Sequence, residues 1–177
     1  LEQHMITAEP DQSLVILGLV AGRFSDCSGP EEFKANLEDS LYQLDRLAQS
    51  HDVKLGFEIM NQFESDYLTA IAEGVDYLKA HDFKRIRLHI DTVHMNIEEA
   101  DIGAAIRKAE AISDMCICGQ RPLVSGHAHY NFKETLQALK DIHYSGALAL
   151  ETNCLPSEEV SARKSLQYLQ MLMEELN

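Results

Sequence analysis

Leu88-His-Ile-Asp-Thr-Val-His-Met-Asn-Ile-Glu-Glu99 is an apolar, strand-like run that ends in a cluster of metal-ligating and hydrogen-bonding side chains. Side chains of this kind at the C-terminal end of a strand are what a parallel barrel uses to build an active site. Similar strand ends stand at Phe57-Glu-Ile-Met-Asn-Gln-Phe-Glu64, at Ala149-Leu-Glu-Thr-Asn153 and at Ser113-Asp-Met-Cys-Ile-Cys-Gly119. Together they predict one carboxylate-rich metal site assembled from consecutive strands.

Outward from that segment, strand-like runs are expected at 14–20, 54–60, 85–91, 115–118 and 147–151, each followed by an amphipathic helix. The helices are read at 30–50, 66–81, 97–112, 132–142 and 157–176. In the first of them Phe33, Leu37, Leu41, Leu44 and Leu47 recur at spacings of three and four, which places them on one face. Ser65, Asn96 and Ser157 are the expected N-caps, with acidic residues in the following turns. Five alternations of strand and helix indicate β-α units joined by right-handed crossovers around a parallel sheet, in one domain over 1–177. An open five-stranded sheet fits this length. A TIM-barrel arrangement, incomplete and lacking its first strands, better explains why Glu58, Asp91 and Glu151 fall at the ends of different strands. Such an open barrel leaves a strand edge uncovered, so the expectation is a fragment or a homo-oligomer.

Composition limits the partners. The chain has 177 residues, 45% hydrophobic and 25% charged, which is ordinary for a globular protein. A net charge of −14 works against nucleic acid and anionic membranes and leaves small polar substrates or proteins. No apolar run is long enough to cross a bilayer and Leu1-Glu-Gln-His-Met does not resemble a signal peptide, so a cytoplasmic location is expected. Four cysteines, Cys27, Cys116, Cys118 and Cys154, are too few for a disulfide scaffold and are expected to be reduced. Gly18-Leu-Val-Ala-Gly22 matches neither nucleotide-binding fingerprint.

Glu58, Asp91 and Glu151 are hard oxygen donors suited to Mg²⁺ or Mn²⁺. A single such acid is usually a surface or salt-bridged group, but three at successive strand ends are costly without a cation. His94 can reach a substrate oxygen from the same rim, or else satisfy backbone carbonyls. Glu64 is either a ligand contact or part of an acidic helix start, and Asn61 and Asn96 read as turn or cap residues. His127 and His129 read as loop structure.

Two of these segments resemble known motifs. Glu58-Ile-Met-Asn-Gln-Phe-Glu64 is similar to Glu-Pro-x-Asn-Arg-Phe/Tyr-Glu, and His89-Ile-Asp-Thr-Val-His-Met-Asn-Ile-Glu-Glu99 to His-x-Asp-Thr-Phe-His-Met-Asn-Ile-Glu-Glu. Both belong to the sugar isomerases and epimerases of the xylose-isomerase-like barrel superfamily, with ketose 3-epimerases the most similar group. The resemblance implies a divalent metal (Mn, Mg or Co) on Glu58, Asp91 and Glu151, and a small-molecule sugar as substrate. It further implies that Glu58 and Glu151 exchange a proton on opposite faces of the substrate carbon through an enediolate, while Glu64 and His94 orient the sugar. Alignment puts Cys116 where the family has its metal-binding histidine, which would bias the site toward Zn or Fe, and puts Pro122 at the substrate-binding arginine, with Arg121, the candidate for that role, one place early. These departures keep a second reading open, a non-catalytic sugar-binding or structural remnant of the same barrel. Metal-dependent phosphodiester hydrolysis, as in related endonucleases, is disfavoured by the charge.

Overall fold

The computed structural model describes residues 1–11, 13–109, 129–151 and 155–176. Its sheet has three parallel strands in the order β1 (Leu14–Leu17), β2 (Lys54–Glu58) and β3 (Ile86–His89). The register sets Leu17 beside Phe57 and Glu58 beside His89, so the C-terminal ends of the strands are level. Leu55, Gly56 and Phe57 of the central strand are all buried, as expected where helices cover a parallel sheet.

A short helix α1 (Glu2–Ala8), not expected from the sequence, precedes β1 and buries Met5 completely. The helix α2 (Pro30–Ser50) connects β1 to β2 with the predicted boundaries. Proline opens it, Glu31 and Glu32 occupy its first turn, and Phe33, Leu37, Leu41 and Ala48 form the buried stripe. Asp45 lies on the same face, buried at 3% exposure, because its carboxylate accepts backbone N–H bonds from Lys84, Arg85 and Ile86 at the entry to β3. This bond set ties α2 to the start of β3.

The helix α3 (Ile71–Ala80) begins five residues later than the sequence suggests, and Ser65 is not its cap. Ser65 instead accepts from the Tyr67 N–H in a tight turn, and the Glu73 carboxylate takes the N–H groups of Thr69 and Ala70. Such local side-chain bonds hold residues 65–70 out of the helix. Gly74 faces the sheet, where an added Cβ would lie 2.4 Å from Ile59 Cδ1, so glycine lets α3 approach closely.

Of the helix expected at 97–112, the described residues fall in two helices. α4 (Thr92–Glu98) starts directly after β3 with Asp91 as its N-cap, and α5 (Ile102–Lys108) has Asp101 as its own cap. Each aspartate accepts a backbone N–H at 2.7 Å, which favours a fresh start over continuation. Asn96 therefore lies inside α4 rather than capping a helix. α6 (Phe132–Asp141) and α7 (Glu158–Glu175) are close to expectation, and Ser157 caps α7 as predicted.

The strand expected at 147–151 is not formed: Ala147, Ala149, Leu150 and Glu151 are exposed and join no ladder among the described residues. An apolar run becomes a strand only where a partner takes its backbone bonds. The strand expected at 115–118 lies outside the described residues. No described helix is long and apolar enough to cross a membrane.

Candidate metal and substrate site

The parallel register places the site at the C-terminal rim of β2 and β3. Glu58 is the last residue of β2, and Asp91 follows β3 by two residues, where strand alternation returns it to the face of His89. α4 then turns back over the rim and carries His94 one turn beyond Asp91. Ligand atoms of Glu58, Asp91 and His94 all lie within 4.8 Å of one another. His94 Nε2 is 3.5 Å from Glu58 Oε1 and 3.9 Å from Asp91 Oδ2. Asp91 and His94 are buried, and the Glu58 side chain retains 12% exposure. A small ligand can thus reach Glu58 while the other two stay shielded.

Burial lowers the pKa of His94, but the hydrogen bond to Glu58 and the charges of Asp91, Glu58 and Glu64 together raise it above the ordinary value. His89 is fully buried with Nε2 3.9 Å from Glu58 Oε1. Desolvation pulls its pKa down against the charge of Glu58, with neighbouring His94 adding to the lowering. Two acids and two histidines thus form one polar cluster at this rim. Two carboxylates at converging strand ends suit a hard or borderline divalent cation such as Mg²⁺, Mn²⁺ or Co²⁺, with His94 beside them.

Asn61 joins the cluster from the loop after β2. Its backbone N–H and side-chain amide approach His94 Nδ1 at 3.3 Å and 2.7 Å. Glu64 is half-buried and near enough for its charge to act on His94. Gly18, just beyond β1, supplies room: a Cβ there would stand 2.4 Å from Glu58 Oε2.

Of the sequence-predicted residues, the fold gathers Glu58, Asp91 and His94, with Glu64 at the margin. Glu151 is exposed and outside this group. Cys116 and Arg121 lie outside the described residues, as do Cys118, Cys154 and His127. His129 is exposed and bonded through Nε2 to Asn96 Nδ2 at 3.2 Å. The sequence gives no site role to His89 or Gly18 and reads Asn61 as a turn or cap residue. The alternation of His89 with Asp91 was a usable signal for the first; the roles of the other two depend on tertiary approach.

Comparison with known proteins identifies the family. A family model described as xylose isomerase-like TIM barrel matches residues 5–172. The chain is similar to a D-psicose 3-epimerase of Enterocloster bolteae, 34% identical over 119 residues that make up 67% of this chain and 40% of that protein. It is also similar to an L-ribulose 3-epimerase of Mesorhizobium japonicum, 35% identical over 114 residues, 64% of this chain and 38% of the relative. The chain therefore spans about two fifths of the length of these relatives. Among solved structures, D-psicose 3-epimerase from Clostridium cellulolyticum H10 superimposes with a TM-score of 0.83 at 22% identity, covering 99% of this chain and 69% of that one. The match along nearly its whole length establishes that this chain belongs to the xylose isomerase-like TIM barrel family.

Proposed function

We propose that the chain carries the metal and proton-transfer region of a ketose 3-epimerase. The observation that carries this reading is the convergence of Glu58, Asp91 and His94 within 4.8 Å at the ends of adjacent parallel strands. Relatives named as D-psicose and L-ribulose 3-epimerases support the substrate class.

Glu58 and Asp91 would hold a divalent cation, with Glu151 and Cys116 as the further ligands that the sequence motif suggests. Such a cation, when bound, polarises the ketose carbonyl and stabilises the negative charge that develops on its oxygen. The partly accessible Glu58 carboxylate is the base that takes the proton from the carbon next to the carbonyl, and the sequence motif assigns its return from the opposite face to Glu151, which lies outside the cluster. His94, through Nε2, donates to a sugar oxygen, and Glu64 accepts from a hydroxyl at the carbonyl end. Burial of Asp91 and His94 keeps bulk water from competing for these contacts.

The test is to incubate the protein and Mn²⁺ with five- and six-carbon ketoses in D₂O and read the products by NMR. Formation of the C3 epimer with deuterium at C3 is expected, abolished by Glu58→Gln. Metal-loaded protein that yields neither epimer nor exchange with any ketose would favour the non-catalytic sugar-binding alternative.

A further inference from the structure

We propose that Asn61 is a positioning residue that sets the tautomer of His94, so that this ring keeps its proton on Nε2 and serves the site as a hydrogen-bond donor rather than as a metal ligand. The inference deepens the epimerase reading and rests on it only for what the donated proton does.

One donor on the His94 ring has no alternative role. The Asn61 backbone N–H points at His94 Nδ1 from 3.3 Å, and a backbone N–H can only donate. The Asn61 side chain adds Nδ2 at 2.7 Å from the same ring nitrogen. Its amide orientation follows from the other end, where Oδ1 accepts the Phe63 N–H at 2.9 Å and so turns the NH₂ group toward the ring. Two donors thus converge on Nδ1, which must present its lone pair. A neutral imidazole has a single N–H, and here it is left on Nε2.

That proton faces Glu58 Oε1 at 3.5 Å and Asp91 Oδ2 at 3.9 Å. For Nε2 to bind a cation, the proton would have to move to Nδ1 and stand against the two Asn61 donors in a buried setting, where unmatched polar groups are costly. The Asn61 loop is fastened to α4, the helix that carries the ring. Glu98, one turn after His94, accepts the Gln62 N–H at 2.7 Å, a second bond between loop and helix beside the ring contact.

The experiment is long-range ¹H–¹⁵N NMR of the histidine-labelled full chain, free of metal and sugar, at alkaline pH where the ring is neutral. Protonated and bare ring nitrogens resonate far apart, so each tautomer has its own pattern. The expected His94 pattern is protonated Nε2 and bare Nδ1, persisting when Zn²⁺ is added as a diamagnetic probe. Asn61→Asp, which replaces the amide donor by an acceptor, is expected to shift the proton toward Nδ1. Protonated Nδ1 in the unaltered protein, loss of the Nε2 proton to Zn²⁺, or an unchanged pattern in a folded Asn61→Asp variant would overturn the assignment. Should that variant not fold, the unaltered protein's spectrum with and without Zn²⁺ decides it. None of these readouts depends on turnover, so a failed epimerase assay and a failed tautomer assignment are separate results.

Discussion

His94 Nε2 stands 3.5 Å from Glu58 Oε1, joining the end of β2 to the helix that follows β3. Asp91 makes the junction possible by acting twice. One oxygen caps α4 through the Val93 N–H at 2.7 Å, and the other lies 3.9 Å from His94 Nε2. A strand-end acid that caps the next helix fixes that helix and its histidine over the neighbouring strand end.

Replacing Gly18 by alanine tests how closely the Glu58 carboxylate is held. The new methyl would meet Glu58 Oε2 at 2.4 Å, so the carboxylate has to swing away while the surrounding fold stays in place. Affinity for Mn²⁺ is expected to fall by about tenfold, roughly 1.4 kcal/mol. Calorimetric titration checks it, and unaltered affinity would show that Glu58 does not depend on this space.

Asp45→Asn is expected to destabilise the fold without touching the site. Its Oδ1 accepts from Lys84, Arg85 and Ile86 N–H at 3.0, 2.7 and 3.1 Å, and Oδ2 from Gln49 Nε2 at 2.9 Å. Turning one oxygen into a donor sets it against buried donors, a loss of about 2 kcal/mol. Urea unfolding should show the lower midpoint, and an unchanged midpoint would mean that this bond set does not secure the entry to β3.

Local pattern carried part of this architecture, and tertiary approach the rest. The boundaries of α2 were legible because its apolar spacing, opening proline and first-turn acids all agree. The split between α4 and α5 was not read, although Asp101 before Ile102 is a cap signal, because apolar spacing alone does not register a break of three residues. Glu58, Asp91 and His94 were legible as strand-end chemistry. The contribution of Asn61 was not, since a residue with turn character reveals its partner only when the loop folds onto α4. Gly18 is likewise informative only once Glu58 is beside it.

Tyr77 predicts an alkaline weakness. Its hydroxyl is buried with no hydrogen-bond partner among the described residues. Burial, followed by the charges of Glu38, Tyr67 and Tyr42, raises its pKa well above the usual tyrosine value. A raised pKa means that the folded state holds the proton more tightly than the unfolded chain. Stability is therefore complete below about pH 10, where both states are protonated, and declines as pH rises beyond it and the unfolded chain ionises first. Tyr77→Phe should make that decline shallower and leave neutral-pH stability equal or higher by up to about 1 kcal/mol. Thermal melts between neutral and alkaline pH check this, and an identical alkaline slope in the variant would assign the loss elsewhere.

The central claim is that Glu58 and Asp91 share one divalent cation, and the most direct measurement is Mn²⁺ titration of the full chain beside Glu58→Gln and Asp91→Asn. About one equivalent bound by the unaltered protein, with affinity reduced at least a hundredfold in each variant while circular dichroism stays unchanged, is the predicted result. Equal binding by all three proteins, or none by the unaltered one, would contradict it.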